Sequence, residues 1–206
     1  LDNGDFVVAW WDIPNDGSGS GIFARVFDIV DELFTENGDA VDFNIVSAGD
    51  YQAGTQYDAL GGNDTVVLPT DTAIAAAAGY DLGYAFNAGA GDDNVTGSNE
   101  ADELYLGTGA DTVNAGLGND LVDLGADSDI DTFVFGPGDG NDTVENFVFT
   151  DDLIDLSAFG FTDYATDIDP LLLQSGSDTL IDFGGGNTIT LIGVDPDDLN
   201  GTNFLL

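Results

Sequence analysis

The sequence predicts an all-β protein: a parallel β-roll at its centre, an antiparallel β cap at its C-terminal end and a small β unit at its N-terminal end. Three observations carry this. Asp recurs every nine residues between 88 and 132, with Val or Leu two residues after it in four of the five repeats. Short apolar runs alternate with polar residues towards both ends of the chain. And the 206 residues include 40 acids against a single base, Arg25, with no His, Cys or Met and a formal charge of −39.

That charge excludes whole classes of function. Nucleic-acid binding needs clustered Lys and Arg to displace counterions, so no nucleic-acid partner is expected. Without His or Cys there is no Ser-His-Asp triad, no thiolate nucleophile, no zinc-protease site and no disulfide framework. Carboxylates, carbonyls and hydroxyls remain. A hydrophobic content of 43%, with 14 Phe, 6 Tyr and 2 Trp, separates the chain from disordered acidic sequences, which are poor in apolar residues. No uncharged apolar run approaches the roughly 18 residues of a membrane span. The opening LDNGDFVVAWW has neither a basic region nor a cleavage site and does not start with Met, so the chain is expected to be a fragment of a longer protein.

Residues 1–58 form the first expected unit. FVVAWW (6–11), GIFARVFD (21–28) and VDFNIV (41–46) are short alternating runs separated by NDGSGSG (15–21) and ENGD (36–39), which reads as strands joined by hairpin-like turns. The segment resembles one unit of the DGSGSGI-x-A-R-x-F-D tandem repeats of large secreted bacterial proteins. Trp10 and Trp11 are consecutive on a strand and so face opposite sides. One is expected in a core, and the other either packs at a strand edge or offers a stacking platform for sugar.

Residues 59–145 form the second. In nines, the chain reads AGAGDDNVT (88–96), GSNEADELY (97–105), LGTGADTVN (106–114), AGLGNDLVD (115–123) and LGADSDIDT (124–132). Asp93, Asp102, Asp111, Asp120 and Asp129 take the sixth place, although Asp131 competes with Asp129 in the last copy. Val95, Leu104, Val113 and Val122 take the eighth. Outlying copies centre on Asp64 (60–67) and Asp142 (137–145), and the long interval from Asp64 to Asp93 places an insertion or enlarged coil at TAIAAAAGY (72–80). The pattern resembles G-G-x-G-x-D-x-U-x, the calcium-binding nonapeptide of RTX proteins.

The chemistry agrees with that resemblance. Glycines at the second and fourth places allow a sharp turn with inward carbonyls, the Asp adds a carboxylate, and the aliphatic points into the interior. Two nonapeptides make one coil, so Asp93, Asp111 and Asp129 would stack on one edge and Asp102 and Asp120 on the other. Such rows repel unless cations lie between them. Calcium takes six to eight oxygen ligands in flexible geometry, magnesium demands a tighter octahedron, and no soft ligand exists for zinc or copper. The expected ligands are therefore Asp64, Asp93, Asp102, Asp111, Asp120, Asp129, Asp131 and Asp142, with carbonyls near Gly89, Gly91, Gly107, Gly109, Gly116, Gly118, Gly138 and Gly140. Several calcium ions would be held. The alternative, a metal-free solenoid with ordinary Gly-Asn-Asp turns, leaves nothing to neutralise the rows. GSNEADELY departs from the pattern, with Ser98 and Glu100 where glycines belong.

Residues 146–206 form the third. TLIDF and TITLIGV alternate and flank Gly184–Gly186, which reads as an antiparallel hairpin capping the roll's open end. The segment resembles the C-terminal region of serralysin-type and other RTX proteins exported by type I secretion, whose uncleaved signal ends in apolar residues after acidic ones. Asn203-Phe204-Leu205-Leu206 after Asp197-Asp198 matches that description, or is simply a last strand. The resemblance does not bring a protease, since the zinc site of a serralysin needs His. Any catalytic domain lies outside the chain.

Paired acids such as Asp92-Asp93, Asp151-Asp152 and Asp197-Asp198 suggest glycosidase chemistry only weakly, because such pairs arise freely among 40 acids. The Asn-x-Ser/Thr sites at Asn63, Asn94 and Asn141 fall inside the repeat turns and are by-products of the motif, and a fourth stands at Asn200. The resemblance implies a calcium-binding, non-enzymatic module of a secreted, extracellular or cell-surface bacterial protein, with the type I secretion apparatus as partner. Two rival readings are a structural or adhesive protein that binds itself or surface polysaccharide with calcium as cross-link, and the accessory tail of a secreted hydrolase.

Overall fold

The computed structural model describes residues 6–12, 21–27 and 33–206. Near the N-terminus, β1 (Phe6–Asp12) and β2 (Gly21–Phe27) pair antiparallel, with Trp10 opposite Phe23 and Trp11 opposite Ile22. The placement of the two Trp side chains lies outside the described residues.

The roll follows. Its strands are β3 (Ala40–Asp42), β4 (Thr65–Val67), β5 (Phe86–Ala90), β6 (Asn94–Thr96), β7 (Glu103–Thr108), β8 (Thr112–Asn114), β9 (Leu121–Asp123), β10 (Thr132–Val134), β11 (Asn141–Glu145) and β12 (Leu153–Asp155). A helix, α1 (Thr72–Ala78), interrupts them, and β13 (Leu172–Ser175), β14 (Asp178–Gly184), β15 (Asn187–Leu191) and β16 (Phe204–Leu205) complete the chain. Two seven-stranded sheets result. Sheet one runs β3-β4-β6-β8-β10-β12-β16, with every neighbouring pair parallel. Sheet two runs β5-β7-β9-β11-β15-β14-β13, parallel until β15 and antiparallel beyond it.

From β5 to β12 successive strands fall in alternate sheets, which is the path of a coil. Strands of three residues suffice because each repeat needs only enough extended chain to carry one inward side chain past its turn. Val66, Val95, Leu104, Val113, Val122, Phe133, Val144 and Ile154 are fully buried, and so are Leu68, Leu106, Ala115, Leu124, Phe135 and Leu156 two residues further on. The inward pattern is thus Asp-x-apolar-x-apolar. Its third member, at the first place of the following repeat, is a core position beyond the eighth-place aliphatic that the nonapeptide spacing singles out.

Both ends of the roll are plugged with aromatics. At the first end Phe43 and Tyr80 meet with ring centroids 4.9 Å apart, and Phe34 packs on Phe86 at 5.9 Å. At the other, Phe135, Phe159 and Phe183 form a stack with centroids 4.7–6.1 Å apart. Without these plugs the apolar interior of a solenoid would face water at its ends.

The interval from Asp64 to Asp93 is filled by α1. Asp71 caps it, accepting from the N–H groups of Ala73 and Ile74, and Gly79 ends it in a left-handed conformation. Ala75 and Ala78 are buried, and alanines here let the helix lie close against the coil. The enlarged coil expected at 72–80 is therefore helical.

Two segments outside residues 59–145 join the roll's sheets. VDFNIV supplies β3, which pairs parallel with β4 and not through a hairpin. The C-terminal hairpin forms as expected, β14 against β15 across Gly184–Gly186, and β15 also pairs parallel with β11. The cap thereby continues sheet two, its register held by Thr188, whose N–H donates to the Gly140 carbonyl. The final β16 ends sheet one beside β12, and buried Asn203 anchors it by donating from Nδ2 to the Phe149 carbonyl at 2.7 Å.

Phe133 touches the terminal stack through Phe135. Phe133→Ala is expected to lower the stability of the calcium-loaded chain by about 3–5 kcal/mol in urea denaturation. Leu173→Ala, at a half-exposed position of β13, should change it by no more than about 0.5 kcal/mol.

Candidate metal centre

The Asp residues of the repeats stand at the turns, on the inward side, and each is bonded to the next coil. On one edge the N–H of Asp39 donates to Oδ1 of Asp64 (2.6 Å), Asp64 to Asp93 (2.7 Å), Asp93 to Asp111 (2.7 Å), Asp111 to Asp131 (2.9 Å) and Asp131 to Asp152 (3.0 Å). On the other edge Asp102 donates to Asp120 (2.9 Å) and Asp120 to Asp142 (3.0 Å). Each coil thus hands one backbone donor to the carboxylate of the coil after it. All these carboxylates except that of Asp39 belong to buried residues.

The two rows match the expected edges with one correction. Asp131 occupies the sixth place: it is buried and takes the bond from Asp111, 20 residues earlier in place of the regular 18. Asp129 is exposed, and its N–H donates to Oδ1 of Asp127, so two extra residues bulge outward at that turn. The rows are also longer than the nine-residue spacing indicates. Asp39 and Asp152 belong to the first, and both carry the signal that would have found them: Asp39-x-Val41-x-Phe43 and Asp152-x-Ile154-x-Leu156 repeat the inward pattern of the roll. The second row begins after Tyr84, which precedes Phe86 and Ala88 as Asp102 precedes Leu104 and Leu106. A cleft of about 480 Å³ opens there between Leu82–Tyr84 and the Asp102 and Asp120 turns.

The glycines answer the same stacking. Gly107 has φ +100°, and a Cβ on it would overlap the carbonyl oxygen of Gly89 in the coil before. Gly89, Gly91, Gly109, Gly116 and Gly140 likewise face a carbonyl oxygen at closer than side-chain distance, those of Leu60, Gly62, Gly91, Ser98 and Gly118 respectively, and a Cβ on Gly118 would lie 2.6 Å from the Glu100 oxygen. Columns of carbonyls therefore run beside the rows of carboxylates. Gly138 differs: open space surrounds its Cβ position, and its N–H donates to Oδ1 of Asn187.

The second carboxylate oxygen decides what the rows can do. Oδ2 of Asp64, Asp93, Asp111, Asp120 and Asp142 is buried with no hydrogen-bond partner. A buried anion with a bare oxygen is costly unless it is protonated or meets a cation. Among the described residues no three acidic side chains converge on one point, so a cation here must draw most of its ligands from the carbonyl columns. An all-oxygen set of carboxylates and carbonyls suits a hard ion of flexible coordination, and the residues present fit calcium.

Electrostatics point the same way. Burial is the largest cause and pushes the Asp93 carboxyl up to about 6, Asp131 and Asp142 to about 7, and Asp111 and Asp120 to about 8. The N–H bond from the neighbouring coil pulls each one back, and nearby carboxylates push it further up. Asp64, Asp102 and Asp152 are raised by burial as well.

The model of the RTX calcium-binding nonapeptide repeat, four copies long, matches residues 87–122 and 96–131. These turns are RTX repeats. Solved structures similar to this chain include the extracellular lipase LipA from Serratia marcescens, at 12% identity and TM-score 0.39 over 84% of this chain and 39% of that one. Another is the AlgE6R3 subunit of the Azotobacter vinelandii mannuronan C5-epimerase, at 25% identity and TM-score 0.27 over 56% of this chain and 78% of that one. The chain thus spans well under half the length of the lipase. A comparison with curated proteins found no match. Among the described residues no helix is long and apolar enough to cross a membrane.

The raised carboxyls fix the sign of the pH dependence of the metal-free RTX roll. Their folded pKa values lie above the unfolded value of 3.8, so the stability linked to them is complete below about pH 4 and is lost as pH rises through about 6 to 8. In chelator, β-structure measured by circular dichroism should be greatest in mild acid and decline on titration to pH 8. Saturating calcium should abolish the decline.

Proposed function

We propose that this chain is a calcium-responsive folding module of a larger secreted bacterial protein, and that calcium is bound between successive RTX turns. The ligands in this reading are Asp64, Asp93, Asp111, Asp120, Asp131 and Asp142 with the carbonyls stacked beside the repeat glycines. The observation that carries it is the set of five buried carboxylate oxygens without partners. Forty acids against one base leave the rows no side-chain counter-ion of useful number.

The mechanism follows from linkage. Where free calcium is scarce the carboxylates repel and the unfolded chain is favoured, in a form that can be threaded through a type I export channel. Outside the cell, calcium binds the native state only and supplies the missing folding free energy. Sites of extracellular modules work in the 10⁻⁴–10⁻³ M range, which sets such a switch between the two compartments. The cap offers the roll a first template, because β15 and β16 present strand edges to β11 and β12. The C-terminal Asn203-Phe204-Leu205-Leu206 would serve export before folding, and Phe204–Leu205 would then dock as β16.

Calcium titration of the full chain, followed by far-ultraviolet circular dichroism, tests this. A cooperative gain of β-structure is expected at about 10⁻⁴–10⁻³ M calcium, with magnesium at the same concentration giving little. Unchanged β-structure in excess chelator at pH 7.5 would refute the reading.

A further inference from the structure

The turns of the two rows are not equivalent. Asp64, Asp93, Asp111, Asp120 and Asp142 each leave Oδ2 bare. Asp39, Asp102 and Asp152 do not. Their Oδ2 accepts the backbone N–H of the residue four places earlier, Thr35 (2.7 Å), Ser98 (2.6 Å) and Val148 (2.7 Å). At two of these turns a hydroxyl adds a second bond, from Thr35 Oγ1 to Oδ2 of Asp39 and from Ser98 Oγ to Oδ1 of Asp102, both 3.0 Å.

The hand of the backbone at that fourth residue separates the two kinds. It is left-handed before each bare carboxylate: Leu60 (φ +68°), Gly89 (+106°), Gly107 (+100°), Gly116 (+94°) and Gly138 (+103°). Thr35, Ser98 and Val148 are not among the residues of positive φ. Where the residue is left-handed its N–H does not reach the carboxylate. Leu60 donates to Asp58 Oδ1, Gly116 to Asn114 Oδ1 and Gly138 to Asn187 Oδ1. At Thr35, Ser98 and Val148 the N–H closes on the carboxylate and fills the oxygen left bare elsewhere; Asp131, whose fourth-preceding residue Asp127 also lacks a positive φ, accepts only the Asp111 N–H and belongs to neither kind. Leu60 is informative because a branched side chain is held there in a conformation that ordinarily selects glycine, so the open turn is kept even without one.

We infer that the rows contain two functional classes of turn: open turns that need calcium, and closed turns at Asp39, Asp102 and Asp152 in which backbone N–H groups replace it. The closed turns stand at row ends. Asp39 and Asp152 terminate the first row and Asp102 starts the second, so each lacks an Asp turn, and with it one carboxylate of an interturn cation site, on one flank; Asp142, at the fourth row end, lies on β11 beside β15 of the cap and stays open. At the three closed ends the carboxylate meets protein donors in place of an ion. Ser98 and Glu100, which depart from the repeat, are then a stop signal for the calcium ladder and not a damaged copy.

This inference rests on the calcium reading above, and its test separates the two. The number of calcium ions bound by the full chain is measured by isothermal titration calorimetry, and its melting by circular dichroism with calcium and with chelator, for wild type, Asp111→Asn, Asp102→Asn and Ser98→Ala. Asp111→Asn should lose at least one ion and show more β-structure than wild type in chelator at pH 7.5. Asp102→Asn and Ser98→Ala should keep the wild-type number of ions and melt earlier by a similar interval in both conditions. Loss of an ion in either of these two variants, to the extent seen in Asp111→Asn, overturns the two-class assignment while leaving calcium binding intact. Should Asp102→Asn fail to fold, Ser98→Ala, which removes one hydroxyl, decides alone. A wild-type chain that takes up no calcium sinks the underlying reading instead.

Discussion

Everything in this molecule depends on placing carboxylates inside it, in rows, one coil apart. The geometry of a parallel roll favours this: the residue at a turn stands within hydrogen-bonding distance of its counterpart at the next turn, so a repeated residue type forms a row. Here the residue is Asp, and the backbone N–H of each coil accommodates half of the next carboxylate. The other half is left to an ion, to a proton, or at three of the four row ends to a further N–H. Stability and the responses expected to pH and to calcium are expressions of that one unsatisfied oxygen.

The apolar interior is too thin to hold such rows together unaided. Most coils contribute two inward aliphatics per strand, with residues as small as Ala115 among them, so the roll has little core per turn compared with a layered domain. The larger side chains are collected at the two ends, Phe34, Phe43 and Tyr80 at one and Phe135, Phe159 and Phe183 at the other. The centre is thus held by backbone ladders and by whatever neutralises the Asp rows, and the ends by aromatic packing. This division suits the calcium-dependent folding proposed for the chain.

Much of the site was legible in the amino-acid order. A nine-residue period alternating between two edges identifies Asp93, Asp102, Asp111 and Asp120, and a looser search adds Asp64 and Asp142, because within the regular repeats the covalent spacing and the spatial spacing coincide. Asp39 and Asp152 lie outside that period. Their intervals to the neighbouring Asp in the row, 25 and 21 residues, are not multiples of nine, and only the Asp-x-apolar-x-apolar pattern marks them. The choice between Asp129 and Asp131 was open for the same reason: a two-residue bulge changes the count without changing which carboxylate lands in the stack.

What the sequence determined by itself is the repeat, and with it the parallel roll, the inward aliphatics and the all-oxygen chemistry, since each of these follows from residue types at fixed local separations. Tertiary structure decided where the rows end, which loops bulge or become helical, and which carboxylates are left bare. Those outcomes turn on whether a donor from the adjoining coil or the same turn reaches a given oxygen. That reach depends on the hand of one backbone residue and on the presence of a neighbour, neither of which a count along the chain contains.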